Sequence, residues 1–255
     1  MSAPFIPHCL PLRKLRRATF QKELKRAKTA LLRFDSLLHS RPSPTLLSTL
    51  LTQEVKTALE SQRLKKHEKS PLLHYYKALK KGMRAIQTKP VSKSLLCMLH
   101  AQVKCGFKNA NAGKYRTKQN WIGAAHCTRE EADFLPPTVK QMHHSMQNLL
   151  TYCTHTSKEP LIQIAIFMAQ LLIIHPFMDG NGRLARILVT LLIYQKKLLA
   201  YPLLFLSPYF QTHRKAYIRK LYEITEKNKW EEWILFFLKG VREEANKAYR
   251  LALRI

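Results

Sequence analysis

Two long apolar segments, separated by a short glycine-containing loop, constrain this fold more than any other feature of the sequence. Residues 161–174 and 184–195 are apolar nearly all round, and the loop from 175 to 186 has the sequence HPFMDGNGRLAR. Helices that are apolar on every side are buried in the middle of a helical protein. The first segment is too short to span a bilayer. We therefore expect two central helices with the loop held between them.

Helical periodicity continues through most of the remaining chain and predicts an all-α domain of about eight helices. Residues 1–17 contain three prolines and are expected to form an extended arm, and 208–225 is expected to be a single helix. Residues 106–123 break the helical period. Strand-forming side chains lie there between glycines, which predicts one β-hairpin; they are Tyr115, Thr117, Trp121 and Ile122, with Gly113 and Gly123 beside them.

The charge balance restricts the classes of partner. The chain has 44 Lys+Arg against 16 Asp+Glu, a formal net charge of +28. Such a charge favours acidic partners such as nucleotides, nucleic acid or anionic lipid, although a solvated basic surface is the simpler explanation because the basic residues are spread through the chain. Five cysteines without a C-x-x-C pair, and a basic start without an apolar signal segment, indicate reduced thiols in the cytoplasm. Export as an effector stays open.

The loop itself combines groups suited to a nucleotide. Pro176 disfavours the α conformation at His175, so the preceding helix should end there. Asp179 or Asn181 is expected to cap the next helix, and a hard carboxylate oxygen beside phosphates suits Mg²⁺. Backbone amides at a helix start bind anions, and two arginines three positions apart add positive charge on one helix face. The amides and guanidinium groups in question belong to Gly180, Asn181, Gly182, Arg183 and Arg186.

Residues 175–183, HPFMDGNGR, resemble the signature HPFx(D/E)GN(G/K)R of the Fic-domain family at every fixed position. The resemblance implies transfer of AMP from Mg-ATP to a hydroxyl side chain of a target protein, with His175 as the general base and Asp179 holding Mg²⁺. It also implies that Gly182 favours AMP transfer over the phosphate transfer of Doc-like relatives, which have lysine there. The phosphates of ATP would be held by Gly180, Asn181 and Gly182 (α and β), Arg183 (β) and Arg186 (γ).

The resemblance extends beyond the loop. It implies an N-terminal part, residues 1–70, with an inhibitory helix, followed by a Fic domain over 71–255. In the segment KTALES, Glu60 is placed to pair with Arg186 and Thr57 is a further hydroxyl of the motif, although Lys56 and Ser61 depart from it. A flap resembling the family's target-holding hairpin is formed by Lys114, Tyr115, Arg116, Thr117, Trp121, Ile122 and Gly123.

Several alternatives stay open at this point. Relatives often have tandem tyrosines beside the adenine, whereas this chain has Tyr217 and Ile218, so UMP or another nucleotide is an alternative donor. Removal of AMP from a modified protein, which some glutamate-bearing relatives perform, and phosphate transfer are alternative reactions. A non-enzymatic basic module that binds nucleic acid or an acidic protein is a third, disfavoured because no nucleic-acid motif is present. The oligomeric state, with a homodimer among the options, is open, and no membrane partner is expected.

Overall fold

The computed structural model describes residues 4–12, 14–41, 43–60, 69–104, 111–123 and 127–255, with the backbone alone at 58–60 and 69–72. Ten helices and no extended sheet form in this part of the chain, so the all-α prediction is confirmed, although the predicted number of about eight helices was too low. The helices are α1 (Ala18–Ser40), α2 (Pro44–Glu60), α3 (Lys69–Thr88), α4 (Lys93–Lys104), α5 (Val139–Thr154), α6 (Pro160–Ile174), α7 (Asn181–Gln195), α8 (Ser207–Thr212), α9 (Arg214–Lys227) and α10 (Trp230–Ala252).

The two apolar helices lie at the centre, as predicted. Every residue of α6 after Pro160 is buried, and α6 packs against α5, α7 and α10. The indole Nε1 of Trp233 in α10 donates a hydrogen bond to the carbonyl oxygen of Ala165 at 2.7 Å. Because α6 and α7 are held on several sides, the loop that joins them is mounted on the most buried part of the molecule.

The N-terminal elements share the same core. Helix α1 lies along α10, and the apolar faces of both belong to one continuous cluster of buried side chains. The arm before α1 lies on α5 and α6: the backbone of Leu10 makes two hydrogen bonds with the side chain of Asn148, and Gln170 donates to the carbonyl oxygen of His8 at 2.6 Å. The division at residues 70 and 71 stays a prediction.

One predicted helix is wrong, and the predicted hairpin is not seen in the described residues. The helix expected over 208–225 is broken at His213, where φ is −104° and ψ 31°, into α8 and α9. The hairpin falls partly outside the described residues, and in 111–123 the chain makes turns; its strand-like pairing is one antiparallel bridge between Ile122 and Phe134. Strand formers do not pair here because the segment bonds instead to the central loop, where the Arg116 amide donates to the Pro176 oxygen at 2.8 Å.

None of the described helices combines the length and the hydropathy needed to cross a bilayer.

Candidate active site

The central loop turns sharply out of α6. Its first residue, His175, ends α6 in the left-handed region (φ 51°, ψ 60°), outside the right-handed α region that Pro176 disfavours. Phe177 then inserts into the core, where its ring stacks on His100 of α4 with centroids 3.8 Å apart. Gly180 has φ 87°, and a Cβ there would lie 3.3 Å from His100 Nε2 and from Lys104 Cδ. The positive φ therefore favours glycine, and a Cβ would in addition press against both of these side chains.

The imidazole of His175 is neutral and has one defined tautomer. Its Nδ1 lies 3.1 Å from the carbonyl oxygen of Leu172, and a carbonyl can only accept, so Nδ1 carries the hydrogen and Nε2 the free lone pair. Burial lowers the pKa of His175 to about 4, against a weaker opposing effect of the Leu172 carbonyl. At neutral pH the side chain is therefore able to accept a proton at Nε2.

Two buried polar side chains from the 111–123 segment hold the loop backbone. Arg116, 1% exposed, donates from Nε to the His175 oxygen at 3.0 Å and also to the carbonyl oxygens of Lys118 and Pro137. Asn120 donates to the Phe177 oxygen at 3.1 Å. Arg116 was expected among the residues that face a target protein; the structure instead places it inside, where it fixes the backbone of the histidine.

The other flap residues have varied environments. Ile122 is part-buried beside Phe134, and Tyr115 packs edge-on against Phe177 with ring centroids 5.2 Å apart. The exposed members are Lys114, Thr117, Trp121 and Gly123. Their role in positioning a target stays a prediction.

The start of α7 differs in detail from the expected anion site. Gly180, not Asp179 or Asn181, is the N-cap, and α7 begins at Asn181. The Gly180 amide is already used, because it donates to Asp179 Oδ1 at 2.6 Å. The Asn181 side chain is 1% exposed and bonds both backbone groups of Phe177, at 3.0 and 2.8 Å. The amides left for an anion are those of Asn181 and Gly182, in the first turn of α7 where the helix supplies no acceptor.

Asp179 forms ion pairs with two cationic side chains. Its Oδ2 lies 2.5 Å from Nζ of Lys104 and 3.4 Å from Nη2 of Arg183, and both cationic side chains are buried. His100 donates from Nε2 to the Asp179 carbonyl oxygen at 2.8 Å, a tautomer set by the Gly113 amide, which donates to Nδ1. Partial burial alone would raise the pKa of Asp179, but the ion pairs more than offset it, and the pKa lies below its usual range.

A cavity of about 220 Å³ opens beside the loop. It brings His175, Gly182 and Arg186 together with the predicted base-pocket residues Tyr217 and Ile218. The Nε of Arg186 is buried and has no hydrogen-bond partner among the described residues. A Cβ on residue 182 would lie 3.3 Å from Arg186 Nη1, so glycine leaves this guanidinium its space. The rest of the lining is largely apolar: Ile122, Phe134, Leu172, Ile173, Leu221, Tyr222 and Thr225.

The inhibitory motif lies at the C-terminal end of α2. Thr57 donates from its hydroxyl to the Gln53 carbonyl oxygen at 2.9 Å. The side chain of Glu60 lies outside the described residues, so its pairing with Arg186 stays a prediction. A different carboxylate of α2, Glu54, is 1% exposed and accepts hydrogen bonds from Tyr75 and Ser207.

Sequence reasoning missed four residues that build the site. Three of them, His100, Lys104 and Asn120, received no role, and Arg116 received a different one. A usable signal was present: His100 and Lys104 follow Leu96 at spacings of four, which puts two polar side chains on the buried face of α4.

Comparison with known proteins agrees with this picture. Residues 90–193 match the Fic/DOC family. Protein adenylyltransferase fic-1 of Caenorhabditis briggsae is 30% identical over 95 residues, or 37% of this chain and 18% of the relative. Its Caenorhabditis elegans namesake is 28% identical over 98 residues, with the same shares. The chain thus matches less than a fifth of the length of these curated relatives.

A solved Fic family protein from Desulfovibrio desulfuricans G20 superposes over 100% of this chain and 78% of its own, with a TM-score of 0.77 and 18% identity. At that identity the likeness concerns the fold. The signature loop, the helical frame around it and the matched region agree with one another, and residues 90–193 of this chain are similar to the Fic/DOC family.

Proposed function

We propose that this chain transfers AMP from Mg-ATP to a hydroxyl group of a target protein. One observation carries the proposal. His175 and Arg186 line the same cavity. The ring of His175 is neutral with its lone pair on Nε2, and the buried Nε of Arg186 has no hydrogen-bond partner among the described residues. The first group can take a proton, and the second is an unmet donor that an anionic oxygen would satisfy.

In the proposed reaction the target hydroxyl oxygen forms a bond to the α-phosphorus while the bond from that phosphorus to the bridging oxygen of pyrophosphate breaks. His175 Nε2 takes the hydroxyl proton, and its ring is oriented by the Nδ1–H bond to Leu172. Arg116 donates a hydrogen bond to the carbonyl oxygen of His175 and so stabilises its left-handed backbone conformation. Because transfer of this kind depends mainly on positioning and charge, a rigid loop is the main contribution of the protein.

Groups in the first turns of α7 would neutralise the negative charge of the phosphates. The amides of Asn181 and Gly182 face an anion with the positive end of the helix dipole behind them. Arg186 supplies its unmet Nε to the leaving pyrophosphate, and Arg183 adds a second fixed positive charge. The Asn181 side chain has a different task in this proposal, since it braces the loop through Phe177.

Asp179 is the protein group suited to Mg²⁺. Its carboxylate is 55% exposed, and no cluster of three or more metal-ligating side chains occurs among the described residues. A single carboxylate fits the usual mode of Mg²⁺ at nucleotides, in which phosphate oxygens and water complete the shell. Asp179 would hold the ion, which neutralises phosphate charge when bound.

The base is expected in the apolar part of the cavity. Tyr217 packs against Phe210 and Trp233, with centroids 4.9 and 5.9 Å away, and Ile218 is 38% exposed. Such a lining binds a base through its faces and offers few polar groups to select one. We expect Ile218→Tyr to tighten ATP binding relative to UTP by a few-fold, measured by competition between the two nucleotides.

The deciding experiment is the intact mass of the purified protein and candidate targets after incubation with Mg-ATP. An added AMP group in wild type that is absent in His175→Ala supports the proposal. His144→Ala, which removes an exposed histidine of α5, is the matched control and should retain transfer. A single added phosphate would overturn the proposal in favour of phosphate transfer, and an unchanged mass in every sample would count against enzymatic activity.

A further inference from the structure

Lys104 is a buried cation in direct contact with the carboxylate of the candidate metal site. Its Nζ lies 2.5 Å from Asp179 Oδ2, and its side chain is 5% exposed, whereas that of Asp179 is 55% exposed. Burial of an ammonium group is unfavourable unless it is paired. Lys104 is also the last residue of α4, where the negative end of the helix dipole stabilises a cation.

Both oxygens of Asp179 are already engaged within the protein. Oδ1 accepts from the Gly180 amide at 2.6 Å, and Oδ2 receives Lys104 together with Arg183 at 3.4 Å. Lys104 has little freedom to leave, because its side chain is 5% exposed and packs beside Gly180. A divalent ion that approaches the exposed side of the carboxylate therefore meets a positive charge fixed a few ångströms away.

We infer that Lys104 is a tethered counterion that competes with a divalent ion for Asp179 and weakens the affinity of this site for Mg²⁺. Like charges that share one carboxylate repel each other, and the effect is strong where one of them is out of water. Lys104 thus supplies part of the positive charge at this position whether or not a metal ion is present. The bearing of this on catalysis rests on the proposed function, but the competition itself does not.

The test is the dissociation constant of Mn²⁺, measured by electron paramagnetic resonance on the resting protein without nucleotide. Lys104→Met keeps the length of the side chain and removes its charge, and we expect it to bind Mn²⁺ about tenfold more tightly than wild type. Lys104→Arg keeps the charge and should stay near wild type. Asp179→Asn in the Met background should remove the gain, which assigns the bound ion to this carboxylate.

Lys93→Met is the matched control, because it removes a cation from the other end of the same helix, over the ring of Tyr115. It should leave Mn²⁺ affinity unchanged. Equal or weaker Mn²⁺ binding in Lys104→Met would overturn the inference. Should that variant not fold, as judged by circular dichroism, Lys104→Gln is measured and interpreted in the same way.

A second readout separates this inference from the proposed function. If AMP transfer occurs, Lys104→Met should reach half-maximal rate at a several-fold lower Mg²⁺ concentration. If no transfer occurs in any variant, the Mn²⁺ constants still decide the role of Lys104. A tenfold gain in Mn²⁺ affinity without AMP transfer would therefore contradict the proposed function and still support competition between Lys104 and the metal ion.

Discussion

At the scale of single residues, the protonation of His175 decides whether the site can accept a proton. A histidine is mostly neutral at every pH above its pKa, so His175, with a pKa of about 4, is a free base throughout the neutral range. An ordinary histidine would be mostly protonated at pH 5. We expect its ring to show no titration between pH 8 and pH 5 in an NMR experiment on labelled histidine, with His175→Ala assigning the signal. A midpoint near 6.5 would contradict the burial argument.

Arg116 is expected to matter for stability as well as for the site. Its guanidinium donates to three carbonyl oxygens in the interior, and charged hydrogen bonds are worth about 1.5–3 kcal/mol each, with losses that do not add fully. Arg116→Met should therefore lower the free energy of unfolding in urea by about 3 kcal/mol. Lys114→Met, an exposed change two positions earlier, should stay within about 0.5 kcal/mol. Equal effects of the two changes would refute the buried role.

The residues of the loop could be predicted from sequence, whereas those that hold it could not. The loop is contiguous, and each side chain has a chemistry that suggests its use. Its supports are distant: Arg116 lies 59 residues before His175, and Lys104 lies 75 residues before Asp179. The first pair arises where the 111–123 segment contacts the central loop, and the second from the packing of α4 against α7. Periodicity specifies neither contact. A single sequence does not show which of its lysines and arginines are buried, because burial depends on a partner that the sequence does not identify.

At the scale of elements, a buried carboxylate of α2 connects this helix to its neighbours through hydrogen bonds. Glu54 accepts from the Tyr75 hydroxyl at 2.6 Å, from the Ser207 hydroxyl at 2.5 Å and from the Ser207 amide at 3.2 Å. Glu54→Leu leaves three buried donors without an acceptor and should lower the free energy of unfolding by about 3 kcal/mol. Glu54→Gln should cost less, because both hydroxyls can turn to accept from its amide. Gln53→Leu, at an exposed neighbouring position, is the control.

The regulatory prediction concerns the same helix. If Glu60 at the end of α2 occupies the position of the γ-phosphate, Glu60→Gly should raise automodification with Mg-ATP several-fold. Loosening of α2 through Glu54→Leu should raise it in the same direction, since the helix carries the glutamate. The measurement is the rate at which AMP-bearing mass accumulates. Unchanged rates in both variants would count against inhibition by α2.

The elements themselves differ in how well sequence patterns predicted them. Helices α6 and α7 followed from apolar side chains on every face, since their burial needs no particular partner. The predicted hairpin is not seen in residues 111–123, because the strand propensity of Tyr115 and Thr117 describes these side chains in isolation. The intervening Arg116 and the nearby Asn120 bond to the 175–177 backbone, and that tertiary contact overrides a local preference.

At the scale of the whole molecule, the formal charge of +28 is expected to act on the approach of ATP more than on the chemistry. A long-range field raises the local concentration of an anion and is screened by salt, with a Debye length of about 10 Å at 0.1 M and about 3 Å at 1 M. The KM for ATP should therefore rise several-fold over this range while kcat stays nearly constant.

The influence of the loop's own charges on KM can be separated from that of the total charge by changing charges far from the site. Lys22 and Lys25 line a different cavity, between α1 and α10. Reversal of both to glutamate lowers the formal charge by four from +28 without touching the loop. If the whole field matters, the double variant should show a higher KM at low salt and a shallower salt dependence, with wild-type kcat. If instead the double variant keeps the wild-type KM and salt dependence, and only Arg186→Ala loses that salt dependence, the loop alone attracts the nucleotide.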